Sequence, residues 1–130
     1  MSSPRLKLQI ENFEKALASL HLALNENETE FVRDSIIQRF EFTFEMGWKC
    51  MFRWLLDQGE SVPEMTRPVI RAAFTAGLIT DADLWEQTKD YRDETSHTYN
   101  ESKAIEVAAF VRSKAVMAFD ALATKLKTYR

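Results

Sequence analysis

Between Asp90 and Glu101 the chain reads DYRDETSHTYNE, a stretch holding an arginine, four carboxylates, one of only two histidines, tyrosines and three aliphatic hydroxyls. Histidine changes its charge near neutral pH, as general acid–base chemistry requires. A guanidinium grips phosphate through paired N–H donors and stabilises negative charge as it develops. Arg92 and His97 together make a minimal set for cutting RNA without a metal. The imidazole takes the proton of a 2′-hydroxyl, whose oxygen attacks the adjacent phosphate. In an unbroken helix His97 would lie about 140° round from Arg92, at about 100° per residue. The two side chains then converge only across a helix break or between two chains. Thr95, Ser96, His97 and Thr98 are weak helix formers, and Thr98 with Glu101 has capping-box spacing for a new helix. Taken alone, such an Arg–His pair is common, and a polar helix connector accounts for the stretch better.

Other chemistries find less support. There is no Cys-x-x-Cys, His-x-x-x-His or Glu-x-x-His pair to hold a metal and no glycine-rich phosphate loop. No metal and no cofactor is expected. Cys50 sits among aromatic residues in mid-helix, where a buried structural thiol is expected rather than a nucleophile. His21, in SLHLAL, reads as a half-buried structural histidine. A second polar line, Gln38, Glu41, Glu45, Lys49 and Arg53, runs at steps of three and four along one helix face. Glu45 and Lys49 are spaced for an i,i+4 ion pair. Spacing alone favours a solvated face; the sharper alternative is that Gln38, Glu41, Glu45 and Lys49 border a cleft or a partner chain.

The elements that must position these residues are helical. Ser3-Pro4 is a helix start, followed by a buried stripe of Leu6, Ile10, Phe13, Leu17, Leu20 and Leu24. Asn27 with Glu30 resembles a capping box for a second helix from about Thr29 to Asp57, ended near Gly59. Its core stripe is Ile36, Phe40, Phe44, Gly47, Met51 and Leu55, with Phe42, Trp48, Phe52 and Trp54 beside it or away from it. A helix apolar around so much of its girth is buried on more than one side, against a bundle core on one face, with surface left for a second chain on another. Thr66 caps a short helix ended by Gly77, and Thr80 opens one containing Leu84, Trp85 and Tyr91. A last helix carries Ile105, Ala108, Ala109, Val116, Phe119, Leu122 and Leu126 to the C-terminus. The expected fold is all-α: an antiparallel up-and-down four-helix bundle with a short extra connector helix.

At 130 residues and 45% hydrophobic content, one helical domain spanning 1–130 is expected. A net charge of −3 gives no general attraction to nucleic acid, so RNA contact must be local. With a lone cysteine, no apolar run of membrane-spanning length and no signal-like N-terminus, a cytoplasmic protein with no membrane contact is expected.

Two stretches, IQRFEFTFEMGWKCMFRWL and YRDETSHTYNE, with RPVIRAAFTAGLITDADLW between them, resemble the nucleotidyltransferase substrate-binding proteins of the HEPN superfamily. The resemblance covers nearly the whole chain. It implies a helical bundle that forms a homodimer, encoded near a minimal nucleotidyltransferase that acts as its partner. Ribonuclease members of the superfamily carry Arg-x4–6-His, matched here by Arg92 and His97, with Asp93 as the polar residue after the Arg. Toxin members extend the motif to Arg-x4-His-x-Tyr, which ends here at Tyr99. In such toxin–antitoxin pairs the toxin cuts RNA, and its partner silences it by attaching AMP to that tyrosine (AMPylation). Asp93 stands where many relatives have Asn; it can orient His97 or pair with Arg92, and it repels phosphate. The family label implies a second role, a non-catalytic subunit that binds a nucleotide or substrate for the two-chain nucleotidyltransferase.

Overall fold

Residues 2–130 are described by a computed structural model. Its helices are α1 (Pro4–Leu24), α2 (Glu30–Asp57), α3 (Thr66–Thr75), α4 (Ala82–Glu94), α5 (Glu101–Phe110) and α6 (Val116–Leu126). A 3₁₀ turn, Thr95–His97, follows α4, and a π-turn, Val111–Ala115, joins α5 to α6 in one rod. The long helices α1, α2, α4 and α5–α6 form an antiparallel up-and-down bundle, with α3 as the short connector. No strand occurs among the described residues, and no helix among them is long and apolar enough to cross a membrane.

Ser3 begins α1 as expected: its hydroxyl oxygen accepts from the Leu6 N–H at 3.1 Å, with Pro4 in the first turn. The same hydroxyl donates to Asp57 Oδ2 at 2.6 Å, tying the start of α1 to the end of α2. Helix α2 contacts every other helix. Ile36, Phe40, Phe44, Met51 and Leu55 have no exposed surface, and Trp48 and Trp54 are buried too. Burying each such side chain stabilises the fold by roughly 1.5–3 kcal/mol. Phe42, in contrast, remains 37% exposed.

The core centres on an aromatic cluster. Phe119 meets Phe13, Phe40 and Trp85 at ring-centroid distances of 6.4, 6.1 and 5.6 Å, and Trp85 also meets Phe44 at 6.1 Å. Gly47 makes room for it: a Cβ there would lie 3.1 Å from Phe13 and 3.4 Å from Trp85. Gly59 and Gly77, both at φ +84°, end α2 and α3. Each closes a 6→1 and 5→2 pair: Glu60 N–H to Leu55 and Gly59 N–H to Leu56 in one, Leu78 N–H to Ala73 and Gly77 N–H to Phe74 in the other.

Four expected caps move by one or two residues. Thr29, not Asn27, caps α2 by accepting from Val32 N–H at 3.1 Å. Met65 precedes α3 without a side-chain cap, and Thr66 is already helical. Asp81, not Thr80, caps α4 through Leu84 N–H at 2.9 Å. Asn100, not Thr98, caps α5 by accepting from Ser102 and Lys103 N–H groups at 3.0 and 3.3 Å. Thr98 instead donates to the Thr95 carbonyl at 2.9 Å.

The last rod also departs from a plain helix. Ile105 and Ala109, expected in the core, are exposed; Ala108 is buried as expected, and Ala104, Val107 and Val111 are buried with it. The π-turn adds a residue to one turn and carries Arg112, which reaches back to the end of α1. Arg112 donates to the Leu24 carbonyl at 2.8 Å and to Glu28 at 3.0 Å, and Arg33 donates to Glu28 at 3.1 Å. Burial pushes the Glu28 carboxyl up, but the hydrogen bonds and charges of Arg112 and Arg33 outweigh it and hold the group below its usual value of 4.5.

Two outcomes follow. Gly47→Val overpacks Phe13 and Trp85, and denaturant unfolding is expected to show a loss of about 2 kcal/mol. Glu28 has a depressed folded-state pKa, so its stabilisation is present above 4.5 and is lost as pH falls through the folded value. Glu28→Gln should therefore be less stable than wild type at pH 7, with the difference closing below about pH 4.5 in chemical melts.

Candidate active site

Helix α4 delivers Arg92 in its last turn, and the chain then tightens into the 3₁₀ turn Thr95–His97. Helical backbone thus breaks where the weak formers begin. Arg92 is half-buried and points back onto α2: Nη1 lies 3.3 Å from Glu41 Oε2 and Nε lies 3.5 Å from Glu45 Oε1. Nη1 also donates to the Thr95 hydroxyl at 2.9 Å, and that hydroxyl donates to the Arg92 carbonyl at 2.7 Å. Thr95 is buried, 8% exposed, so this small ring fixes both ends of the Arg92 side chain. Glu45 is itself held by the Trp48 indole N–H at 3.1 Å.

Gln38, Glu41, Phe42, Glu45 and Arg92 line one shallow groove between α2 and α4. Of the polar line on α2, then, Gln38, Glu41 and Glu45 border a cleft, whereas Lys49 is exposed and outside it. The expected Glu45–Lys49 pair does not form; Glu45 is engaged by Arg92 and Trp48 instead. A separate apolar concavity, between Leu78, Trp85 and Leu122, shares no residue with this groove.

His97 and Tyr99 lie on the solvent side, their rings edge-on with centroids 6.3 Å apart. Tyr99 is 87% exposed. Among the described residues the His97 ring makes no hydrogen bond, and none joins it to Arg92. Asp93 pairs with Lys89 at 2.5 Å rather than with Arg92 or His97. The neighbouring carboxylates are matched likewise: Asp90 with Arg67 at 2.6 Å and Glu94 with Lys103 at 3.6 Å. The stretch is thus less anionic in effect than its composition suggests.

Tyr91 stacks on Phe110, centroids 4.0 Å apart, pinning α4 to α5 on either side of the turn. Burial, then the nearby Glu106, pushes the Tyr91 hydroxyl up. Cys50 has no exposed surface and its thiol is pushed up to about 12 by burial, so it stays protonated and inert. His21 pairs across the bundle with Asp120 of α6 at 2.7 Å, a structural contact. Among the described residues no cluster of three metal-ligating side chains occurs. Thr95, Lys89 and Trp48 also hold the site together; of these only Lys89 announces itself in the sequence, four residues before Asp93.

Thr95→Val keeps the shape and deletes both hydroxyl contacts of Arg92. Unfolding free energy should fall by about 1–2 kcal/mol, and Thr95→Ser should recover most of it.

The family model described as "nucleotidyltransferase substrate binding protein like" matches residues 8–128. A Haemophilus influenzae protein named "Probable ribonuclease HepT" is 33% identical over 90 residues. The match spans 63% of this chain and 62% of that protein, less than two thirds of the relative's length. A solved structure from Thermus thermophilus is 35% identical with a TM-score of 0.80, covering 88% of this chain and 98% of its own. Another, from Haemophilus influenzae, is described as revealing the fold of a substrate-binding domain of a nucleotidyltransferase. It is 24% identical with a TM-score of 0.77 over 91% of this chain and 98% of its own, a likeness of fold. Matched along almost its whole length, the chain belongs to the nucleotidyltransferase substrate-binding-protein-like family.

Proposed function

We propose that this chain is the toxin of a toxin–antitoxin pair, a metal-independent endoribonuclease that acts as a homodimer in the cytoplasm. The observation that carries the reading is the helix break after α4, which holds Arg92 in place through Thr95 and leaves His97 free to meet a substrate. The relative named as a ribonuclease supports it. Neutral His97 takes the proton of an RNA 2′-hydroxyl as general base. The 2′-oxygen attacks the adjacent phosphorus, and the 5′-oxygen leaves with a proton from water, giving a 2′,3′-cyclic phosphate. Arg92 clamps the phosphate, whose charge competes with Glu41 and Glu45 for the guanidinium. Asp93 touches neither His97 nor Arg92 and so gives no orienting contact; its pairing with Lys89 lowers its repulsion of phosphate.

Tyr99 is the control point in this reading. A partner nucleotidyltransferase, encoded nearby, transfers AMP from ATP: the tyrosine oxygen bonds to the α-phosphorus, and pyrophosphate leaves. The exposure of Tyr99 and its edge-on position beside His97 support this. The added phosphate and adenosine repel and block incoming RNA.

One observation favours a second reading, a non-catalytic substrate- or nucleotide-binding subunit of a two-chain nucleotidyltransferase. Arg92 already lies against two carboxylates, an arrangement that weakens its hold on phosphate.

Incubating RNA with wild type and His97→Ala, metal-free and with Tyr99 verified unmodified by intact mass, separates the readings. Cleavage by wild type, lost by about 100-fold or more in His97→Ala, is expected. Equal cleavage by both, or none by either, would overturn the ribonuclease reading; stable co-purification with the nucleotidyltransferase in the latter case supports the second.

A further inference from the structure

The groove beside Arg92 has a chemistry of its own. Its exposed ring, Phe42, sits on α2 between Gln38 and Glu45, and all of them line the same concavity as Arg92. Phe42 is out of the core although its neighbours Phe40 and Phe44 have no exposed surface at all. The Gln38 side chain makes no hydrogen bond among the described residues, so its amide donor and acceptor are available. Glu41 meets Arg92 at Oε2, 3.3 Å from Nη1, and among the described residues no hydrogen bond is made to its Oε1, which leaves that oxygen able to accept. Glu45 is occupied by Trp48 and Arg92. An aromatic face, an amide and a spare carboxylate oxygen beside a guanidinium are the parts that recognise a nucleotide: ring for base, acceptor for base edge, cation for phosphate.

We propose that the groove from Gln38 to Arg92 is a nucleobase subsite, in which Phe42 stacks a base bearing an exocyclic amine and Arg92 holds the phosphate attached to it. The amine follows from the acceptor. A carboxylate accepts from the N4 amine of cytosine, as it does at base edges elsewhere. Uracil presents a carbonyl oxygen at that position and is repelled. Stacking on Phe42 tolerates any base, so discrimination rests with Glu41 and Gln38. The subsite rests on the reading of Arg92 as a phosphate-holding residue, and it does not require that the chain cleave RNA.

The test uses 2′-O-methylated hexanucleotides, which lack the attacking hydroxyl, with binding read by fluorescence anisotropy at low salt. Hexacytidylate is expected to bind about fivefold tighter than hexauridylate, or better. Phe42→Ala should weaken both about tenfold, with Phe42→Trp restoring binding, and Glu41→Gln should erase the cytosine preference. Circular dichroism melts confirm that each variant is folded. Cytidine monophosphate showing the same dependence on Phe42 supports the subsite and marks a free nucleotide as sufficient. Binding of wild-type strength by folded Phe42→Ala, equal affinity for the two hexamers, or no binding of either hexamer or of cytidine monophosphate overturns it. So does a Phe42→Ala variant that only dissociates a dimer, which assigns the ring to a protein interface. If unmethylated RNA stays intact while the binding pattern holds, the ribonuclease reading fails and the subsite stands.

Discussion

Burial of α2 along most of its length sets where every other element can go. Ile36, Phe40, Phe44, Met51 and Leu55 face the centre, and Trp48 and Trp54 widen the apolar surface beyond a single stripe. A helix buried so broadly needs neighbours on several sides, and α1, α3, α4 and the α5–α6 rod supply them. Gly47 is a point of close approach, where Phe13 from α1 and Trp85 from α4 lie against a backbone with no side chain. The consequence for chemistry is positional. The remaining polar strip of α2, Gln38, Glu41 and Glu45, is turned toward the end of α4, where Arg92 emerges. The packing that buries the aromatic residues thereby also decides what the arginine meets.

Electrostatics around the helix break is arranged in pairs. Asp90, Asp93 and Glu94 each have a cation from elsewhere in the fold or one turn away, namely Arg67, Lys89 and Lys103. Arg92 has the reverse condition, one cation between two carboxylates. These pairs are at least partly exposed, so each contributes little to stability. Their effect is on the local field: the acidic flank of α4 is largely neutralised, and negative charge is concentrated on the α2 side of the groove. A ligand with both phosphate and amine groups suits such a divided surface better than a bare phosphate.

Much of the fold was legible because helical periodicity reports burial directly. The stripes of α1 and α2, and the two glycine stops, follow from spacing and from the need for positive φ at Gly59 and Gly77. The caps shifted because Thr, Asn and Asp neighbours compete for the same N–H groups, and geometry chooses among them; Thr29 and Asn100 win over Asn27 and Thr98. The π-turn was not legible, since its reason is long-range: it delivers Arg112 to Leu24 and Glu28, more than 80 residues away. At the site, residue types were readable but partners were not. Glu45 looked matched to Lys49 by spacing, yet tertiary packing offers it Trp48 and Arg92. Thr95 read as a weak helix former, and its hydroxyl ring with Arg92 depends on the turn that it helps to make.

The helix break has a stiff base and an open tip. Thr95 is buried and bonded to Arg92 on one side, while Asn100 caps α5 on the other. Tyr91 stacked on Phe110 fixes the distance between the two helices. Ser96, His97 and Tyr99 lie between these anchors, in a link too short to swing as a lid. A group attached at Tyr99 would consequently stay near His97, whose ring it already faces. Access to the imidazole is governed by what occupies that small tip, whereas the guanidinium answers to α2. Two side chains five positions apart are thus held by different parts of the fold, so that a change at the tip can alter one without releasing the other.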